Sequence, residues 1–436
     1  MNSLILMGLA FLVASFFLYT MFFTRENRER AYLKYVFLAY PFIGIDILPS
    51  ILSTTLFVFI TAVFCFFFYQ YRSLQSSNSS PYYRLFLLLL VIVGIGLWLA
   101  EDLSNDSTTD FIQLLAIFFF AKVLIDELYR DASFRTTVLQ SMKITLLFSF
   151  IFLACQFILG PAFSIAKSQN INVAGGIAIR YPSFFQDPQK YAQYLSASSL
   201  LMLLIPGKTA SKTSNIGLLL CAISMIALLF TGGRAGLGGW LVGLMVVLIF
   251  GNAQYRAAIV VVSLLVSFFI YNYSEAIPIF KRDALEDAYA FRYAIWQDAF
   301  DIFLAHPIFG IGLGNYANYV SVHNPDQFWI NDNDITFFDH PESGYLKLLT
   351  EFGFIGFLLV LLFVLLPMYN GMKTYLRTKD FSLMVMVAAL CTWLVGFYTV
   401  YSFGDVRIKI LVVSIVCMLI ASTNENPTSH KISKIV

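Results

Sequence analysis

Residues 3–23 read SLILMGLAFLVASFFLYTMFF and contain no charged side chain. Two shorter uncharged runs follow at residues 85–100 and 217–230. A helix needs about 20 apolar residues to cross the ~30 Å hydrocarbon core of a bilayer, which the first run supplies alone and the others supply with polar flanks. Apolar sequence in lipid must be helical, because each backbone amide has to find its partner within the segment. The sequence therefore predicts an all-α, polytopic integral membrane protein.

The composition of the whole chain agrees with this interpretation. Of its 436 residues, 59% are hydrophobic and 12% are charged, and the mean hydropathy is +0.75. Soluble domains carry about 25% charged residues. The net charge of +2 gives no sign of a nucleic-acid partner, and we expect none. The five cysteines lie in apolar runs without paired spacing, so neither a disulfide framework nor a zinc site is indicated.

Polar breaks between the apolar runs give about thirteen predicted spans, within an expected range of about twelve to fourteen. The opening run lacks the basic start and A-x-A exit of a signal peptide, so we expect it to be the first span. Pro41 and Pro49 interrupt the second and third spans. The predicted spans lie at residues 3–23, 32–48, 51–71, 83–100, 109–129, 141–160, 186–205, 215–231, 234–251, 256–273, 348–369, 381–400 and 405–421.

Basic residues predict how these spans are oriented. They cluster in alternating breaks, at Arg25, Arg28 and Arg30, at Arg130, Arg135 and Lys143, at Lys208 and Lys212, at Arg256, and at Lys373, Arg377 and Lys379. The positive-inside rule assigns such breaks to the cytoplasm. The acidic break at residues 101–110 and the amino terminus are then external, and the carboxyl tail is internal.

This topology divides the chain into five segments. They are N-terminal transmembrane helices (1–160), central transmembrane helices with an external loop at 161–185 (161–273), a large external loop (274–347), C-terminal transmembrane helices (348–421) and a cytoplasmic tail (422–436). The large loop begins with a predicted amphipathic helix, LEDAYAFRYAIWQDAFDIFLAHP, at residues 285–307. Its apolar positions Ile295, Ala299 and Ile302 repeat near the helical period, and Pro307 ends it.

Three arginines fall on the predicted external side, beside or between spans. Arg180 and Arg292 flank the two external loops, and Arg234 lies in the two-glycine hinge of LLFTGGRAGLGGW. The planar guanidinium stays charged and pairs bidentately with phosphate oxygens, so these residues would suit a lipid-linked diphosphate. A structural ion pair, or a side chain that snorkels to the interface, is the alternative for each arginine.

The stretch DHPESGYLKLLTEFGFIG, residues 339–356, places a histidine directly before a long apolar run. Pro341 suits a first helical turn, so we expect a short external helix before the span, with Lys347 and Glu351 as an i,i+4 pair. His340 would lie at the amino-terminal end, where the helix dipole disfavours a positive charge. A neutral imidazole is what a general base requires, and a surface capping residue is the alternative. We assign no role to His306 and His323.

Two weaker patterns carry no prediction of a ligand. GIGLGN (310–315) is glycine-rich, but no strand precedes it and no GK[ST] follows, so it is not a phosphate loop. NDND (331–334) contains Asp-x-Asp, which in an external loop is more often a polar turn than a metal site. We therefore expect neither a metal nor a cofactor.

Four motifs in order resemble the O-antigen ligase and polymerase superfamily. RYPSFFQDPQKYAQYL (180–195) resembles its arginine and Phe-x-(Asn/Asp)-Pro turn, and TGGRAG (231–236) its Thr-Gly-Ser-Arg hinge. RYAIWQDAFDIFLAHPIFGIGLGNY (292–316) resembles its external Arg…Trp helix and glycine turn. HPESGYLKLLTEFGFIG (340–356) resembles its His-Asn-x-(Tyr/Phe)-Leu…Glu-x-Gly start of a late span. The resemblance covers roughly 175–370, with Gly233 in place of a serine and Pro341 and Glu342 where an asparagine often follows the histidine.

The resemblance implies a GT-C-like membrane glycosyltransferase that uses undecaprenyl-diphosphate-linked glycans as donor and acceptor, needs no metal and inverts the anomeric centre. It implies that His340 is the catalytic base, that Arg180 and Arg292 bind pyrophosphate, and that Arg234 is the hinge arginine. It also implies a bacterial inner-membrane location, with the site and the large loop in the periplasm. Besides the bilayer, it leaves open a chain-length regulator protein as a partner.

Three functions remain open at this point. The first is an O-antigen or surface-polysaccharide polymerase that joins lipid-linked repeat units. The second is the ligase that transfers the glycan to lipid A–core, or a relative that glycosylates a protein. The third is a transporter or flippase without catalysis, which would favour charges within the spans rather than arginines at one face.

Overall fold

The computed structural model describes most of the chain outside its two ends. It describes residues 15–17, 19, 28–44, 55–71, 81–100, 103–160, 163, 169–173, 176–185, 187–204, 215–251, 253–274, 277, 285–323, 328–331, 334–337 and 340–423. The predicted first span and the cytoplasmic tail lie almost entirely outside the described residues. The NDND segment at 331–334, which was expected to be a polar turn, lies partly outside them.

The described chain is mostly helical, which confirms the predicted fold class. The helices are α1 (Arg28–Leu38), α2 (Leu56–Tyr71), α3 (Pro81–Leu99), α4 (Asn105–Arg130), α5 (Phe134–Leu159), α6 (Pro188–Leu201), α7 (Asn215–Thr231), α8 (Arg234–Phe250), α9 (Ala253–Tyr273), α10 (Leu285–Ala305), α11 (Tyr316–His323), α12 (Gly344–Thr378), α13 (Phe381–Phe397) and α14 (Val406–Thr423). One core of buried apolar side chains extends from Phe17 to Ala421. The first four segments of the predicted topology therefore contribute residues to this core.

Nine of the described helices are apolar enough to be considered as spans. By length and composition, 4 helices could cross a membrane alone, namely Tyr82–Leu99, Phe134–Leu159, Gly344–Thr378 and Val406–Thr423. Five shorter apolar helices accompany them, at Leu56–Phe66, Ile216–Thr231, Arg234–Phe250, Ile259–Tyr273 and Phe381–Phe397. The chain is thus an all-α polytopic membrane protein, and the count of twelve to fourteen spans stays a prediction.

The predicted span at 32–48 is wrong in its extent. Helix α1 has 11 residues and ends at Leu38, and turns follow as far as Gly44. Pro41 explains this end, because proline cannot donate the backbone hydrogen bond of a continuing helix and restricts the residue before it. The turn is nevertheless held in the protein, since the Tyr40 hydroxyl donates to the backbone carbonyl of Arg407.

Two short hairpins lie in the loops, where no strand was predicted. Strand β1 (Gln169–Val173) pairs antiparallel with β2 (Gly176–Arg180), and β3 (Phe328–Asn331) pairs with β4 (Asp334–Phe337). Each hairpin lies in one of the two long loops that the predicted topology assigns to the external face. The first hairpin ends at Arg180 and so delivers that residue to the helix bundle.

Helix α13 is the centre of the bundle, and nearly all its residues are buried. It packs most extensively against α8, where glycines allow the backbones to meet. A Cβ on Gly239 would lie 2.3 Å from the Thr392 carbonyl oxygen, and one on Gly243 would lie 2.3 Å from the Thr392 methyl carbon. Small residues permit this close approach in membrane helices, where packing rather than the hydrophobic effect drives association.

Two of the basic residues that were assigned to the cytoplasm, Arg30 and Arg135, lie near the amino-terminal end of α13. Arg135 donates to Ser382 in the first turn of α13 and to Ser422 at the end of α14. Arg30 donates to Asp131 at 2.8 Å, between α4 and α5. Hydrogen bonds from Ser133 and then from Arg30 lower the pKa of Asp131. These residues therefore share one end of the bundle, as the positive-inside pattern predicts.

Candidate functional site

A break between α7 and α8 brings Arg180 against the glycine hinge. Helix α7 ends at Thr231, Gly232 adopts φ +64, and α8 begins at Arg234. The Arg180 Nε donates to the Thr231 carbonyl oxygen at 2.7 Å, and a Cβ on Gly232 would lie 3.2 Å from that Nε. Arg180 is 2% exposed. The hinge thus provides both a carbonyl acceptor and the space that the buried guanidinium occupies.

A rigid turn holds the chain after Arg180. The backbone amide of Ser183 donates to the Gln156 side chain at 2.9 Å, and the Gln156 amide donates to the Ser183 carbonyl at 3.0 Å. Asp187 then caps α6 by accepting from the Gln189 amide at 2.7 Å, and Pro188 fills the first helical position. This is how the sequence QDP builds a helix start, with an acidic cap followed by a proline.

Arg407, whose role the sequence analysis missed, fixes the same turn from the other side. Its guanidinium donates bidentately to Asp405 at 2.9 and 2.6 Å and donates to the Phe184 carbonyl at 2.6 Å. It also lies 4.4 Å from the centroid of the Phe185 ring. The bidentate pair with Arg407 compensates the charge of the buried Asp405 carboxylate. The Asp-x-Arg spacing at the start of α14 was the only available sequence signal.

Arg234 occupies the first turn of α8, behind the N-cap Gly233. The hinge has no room for larger side chains, because a Cβ on Gly233 would lie 2.5 Å from the Ala192 Cβ, and one on Gly236 would lie 2.7 Å from it. Arg234 is half-buried. A helix start combines backbone N–H donors with a positive dipole end, which together favour an anion.

Glu342 joins Arg292 to His340. Arg292, on α10, donates from Nη2 to Glu342 Oε2 at 3.4 Å. His340 Nε2 lies 3.5 Å from the other carboxylate oxygen, Oε1. The three side chains are 25%, 28% and 27% exposed in the order Arg292, Glu342, His340. Two residues that the sequence singled out are therefore adjacent, and a carboxylate that it did not single out connects them.

The helix that follows His340 begins later than the sequence predicted. Ser343 is the N-cap of α12 and accepts from the Leu346 amide, so Pro341 lies before the helix and not in its first turn. Glu342 has φ +49, an uncommon conformation for a residue with a side chain. In the family motif the histidine stands three residues before the aromatic residue. Here Glu342 has that spacing to Tyr345, whereas His340 lies two residues further from Tyr345.

A kink separates the start of α12 from its long apolar part, as the predicted short helix before the span requires. Gly353 has φ 65 and ψ −175 inside α12. The glycine turn after α10 caps both sides of the kink. The amides of Ile311 and Gly312 donate to the Thr350 and Glu351 carbonyls at 2.9 and 3.2 Å, and the Phe354 amide donates to the Pro307 carbonyl at 2.8 Å. The turn therefore replaces the backbone hydrogen bonds that the kink breaks.

The predicted pair on this short helix is present. Lys347 Nζ lies 3.5 Å from Glu351 Oε1, with the Glu351 side chain fully buried. The ammonium also lies 4.6 Å from the centroid of the Tyr401 ring. The two histidines to which no role was assigned pack on one tyrosine. His306 Nε2 lies 3.1 Å from the Tyr319 hydroxyl, and the His323 ring centroid lies 4.3 Å from that of Tyr319.

All four candidate residues lie at the carboxyl-terminal end of α13. Helix α8 runs antiparallel to α13, because Gly239 meets Gly396 while Gly243 meets Ala388, so Arg234 and the hinge are at this end. A Cβ on Gly344 would lie 2.5 Å from the Phe397 ring, which places the start of α12 there too. Arg180 lies at this end because it is hydrogen-bonded to the hinge, and Arg292 lies there because it contacts Glu342. The site thus faces away from the basic residues at the amino-terminal end of α13.

An apolar cavity opens beside this end of the bundle, between α3, α4, α12 and α14. Its empty volume is about 630 Å³, which includes open solvent. Phe86, Leu114, Phe352 and Val413 are among its apolar lining residues, and Asp110, Tyr401 and Lys409 contribute its polar groups. Such a cavity suits a chain-like apolar ligand more than a free sugar.

Comparison with known proteins gives one family. Residues 218–361 match the family model described as O-antigen ligase. This match supports the resemblance of the chain to the O-antigen ligase and polymerase superfamily. No curated protein matches the chain. The match indicates a glycosyl-transferring membrane enzyme of lipopolysaccharide biosynthesis.

The O-antigen ligase match covers three of the four candidate residues. Arg234, Arg292 and His340 lie inside residues 218–361, together with Glu342 and the kink at Gly353, while Arg180 lies outside. Within the described part of the chain, no group of three or more His, Cys, Asp or Glu residues could hold a metal ion. Chemically, the site therefore offers guanidinium groups for anionic oxygens and one imidazole for a proton.

Proposed function

We propose that this protein is an O-antigen or surface-polysaccharide polymerase, which joins undecaprenyl-diphosphate-linked repeat units on the periplasmic face of the inner membrane. The observation that carries the proposal is the placement of Arg292, Glu342 and His340 at the same bundle end as Arg180 and the Arg234 hinge. Arginines for anionic oxygens and an imidazole for a proton match a donor that has a diphosphate head group.

The diphosphate is the leaving group of the proposed reaction. As the bond between the anomeric carbon and the diphosphate oxygen breaks, the electron pair moves to the diphosphate, and its charge grows. Guanidinium groups of Arg180, Arg234 and Arg292 neutralise that charge in a partly water-excluded site, where fixed charges stabilise a transition state most. We therefore propose a metal-independent reaction, for which chelators leave the rate unchanged.

His340 is the proposed general base. A sugar hydroxyl of the acceptor attacks the anomeric carbon from the face opposite the diphosphate, and its proton passes to the imidazole as the new glycosidic bond forms. The anomeric centre is thereby inverted. General-base catalysis of this kind contributes typically ~10²–10⁴-fold to a rate. The apolar cavity aligns the lipid tail, which lowers the entropic cost of bringing donor and acceptor together.

The ligase is the second candidate, because the matching family model carries that description. It would use the same donor chemistry but would transfer the glycan to lipid A–core, or to a protein in the related oligosaccharyltransferases. A non-catalytic transporter is less compatible with the arrangement, since the arginines and His340 cluster at one end of the bundle. A chain-length regulator remains a proposed partner of the polymerase.

The surface glycan of a deletion strain separates these candidates. Loss of a polymerase leaves lipid A–core capped with single repeat units, whereas loss of the ligase leaves naked core and accumulated lipid-linked polymer. Complementation with the wild-type chain restores the long glycan ladder in either case. An unchanged glycan profile in the deletion strain contradicts both enzymatic proposals.

A further inference from the structure

Glu342 is the one carboxylate that contacts both a candidate phosphate-binding arginine and the candidate base among the described ion pairs. Its Oε2 lies 3.4 Å from Arg292 Nη2, and its Oε1 lies 3.5 Å from His340 Nε2. Arg292 belongs to α10 and Glu342 to the segment before α12, 50 positions apart in the sequence. A single side chain therefore connects two separate elements of the site.

The backbone at Glu342 is held in a conformation that side-chain-bearing residues rarely adopt. Its φ is +49, and the next residue, Ser343, is fixed as the N-cap of α12. Uncommon backbone conformations of this kind persist where the surrounding contacts determine them, and they concentrate at functional sites. Here the surrounding contacts are the helix start on one side and the Arg292 and His340 side chains on the other.

We propose that Glu342 is a positioning residue, which sets the separation of Arg292 and His340 and stabilises the imidazolium that forms when His340 takes the acceptor's proton. This inference rests on the proposed function. A carboxylate beside one ring nitrogen favours a proton on that nitrogen and leaves the other nitrogen as the proton acceptor. It also compensates the positive charge of Arg292, which would otherwise oppose a second positive charge on the neighbouring imidazole.

The same contacts predict that Glu342→Gln affects kcat and the KM for the donor differently. Glu342→Gln keeps the shape of the side chain and removes its charge, so the transition state loses a charge-assisted contact and kcat falls. Arg292 at the same time loses a carboxylate that competes with the diphosphate for its guanidinium. The KM for the donor therefore stays the same or decreases. A general disruption of the site would instead raise KM and lower kcat together.

The experiment uses the purified full-length protein in lipid vesicles, with lipid-linked repeat units extracted from the deletion strain as donor and acceptor. We expect Glu342→Gln to lower kcat roughly ten- to a hundred-fold without raising KM, and Glu342→Asp to recover part of the loss. The matched control is Glu29→Gln, which removes a glutamate that lies 3.7 Å from Arg130 at the opposite bundle end. In a His340→Ala background, Glu342→Gln should add little, because its effect acts through the imidazole.

Three results would overturn this role of Glu342. One is a Glu342→Gln variant with wild-type kcat. Another is a variant in which KM rises along with the loss of kcat, which indicates a merely structural role. The third is full activity of His340→Ala beside an inactive Glu342→Gln, which makes the carboxylate itself the base. A wild-type protein that transfers no glycan contradicts the proposed function instead, and the role of Glu342 falls with it.

Discussion

At the scale of single residues, substitution of Arg292 tests whether its guanidinium group binds the diphosphate. Arg292→Lys keeps the positive charge but loses the planar fork, and a lost charge-assisted contact to phosphate is worth about 1.5–3 kcal/mol. We expect a decrease in transfer rate of roughly ten- to a hundred-fold, and a larger one for Arg292→Ala. The measurement is the initial rate of glycan transfer by the purified variants.

Arg84→Ala is the matched control for Arg292. Arg84 is an exposed arginine near the start of α3, at the end of the bundle opposite the candidate site. Its removal should leave the transfer rate near that of the wild type. Near-wild-type rates for both Arg292 variants would assign Arg292 to a structural ion pair with Glu342.

Residue types and motif order singled out four candidate side chains, but not the groups that hold them. The sequence singled out Arg180, Arg234, Arg292 and His340, and the structure places all four at one bundle end. Glu342 and Arg407 were missed because a single carboxylate in a loop, or an arginine inside an apparent span, has no distinctive periodicity. Their importance comes from tertiary contacts, which a single sequence does not encode locally.

At the scale of elements, the kink in α12 depends on Gly353. Its φ of 65 with ψ −175 is accessible almost only to glycine, and a Cβ there would lie 2.3 Å from the Ile308 carbonyl oxygen. Gly353→Ala should therefore cost on the order of 1–3 kcal/mol from backbone strain alone, and the clash adds to it. The measurement is the thermal unfolding midpoint of the purified variant in detergent, together with its transfer rate.

The matched control for the kink is Gly238→Ala in α8. No atom lies within 4 Å of the position that its Cβ would occupy. Alanine is a better helix former than glycine by about 1 kcal/mol, so this change should not lower the unfolding midpoint. A Gly353→Ala protein as stable and active as the wild type would show that the glycine turn does not constrain the kink.

Long apolar runs predicted their helices well, and the short elements of the loops were not predictable in the same way. The amphipathic helix predicted at residues 285–307 is present as α10, with Ile295, Ala299 and Ile302 buried as expected. The hairpin at 169–180 was not foreseen, because its strands have only 5 residues each, too few for their alternation of apolar residues to stand out from a loop. The span predicted around helix α1 was too long, because the apolar sequence continues beyond Leu38 whereas Pro41 prevents the helix from continuing.

At the scale of the whole molecule, we expect the candidate site to face the outside of the cell membrane. We expect single cysteines, introduced into a cysteine-free background, to differ in reactivity between the two ends of the bundle. Tyr293→Cys, beside Arg292 and 68% exposed, should react with an impermeant maleimide in spheroplasts. Thr378→Cys, exposed at the far end of α12, should react only after lysis. The reverse pattern would invert the topology and place the site away from lipid-linked glycans in the periplasm.

We propose that His340, supported by the arginines, catalyses glycan transfer, and a glycan ladder on a gel measures whether it does. The deletion strain is complemented with wild type, His340→Ala, His306→Ala or His323→Ala, and each sample is run beside an immunoblot of the membrane fraction. His340 lies outside the spans and is partly exposed, so its loss should cost little stability. We predict that His340→Ala abolishes the ladder while the protein accumulates normally, since loss of a general base costs roughly 10²–10⁴-fold. The other two variants should give full ladders, and a full ladder from His340→Ala would contradict the account.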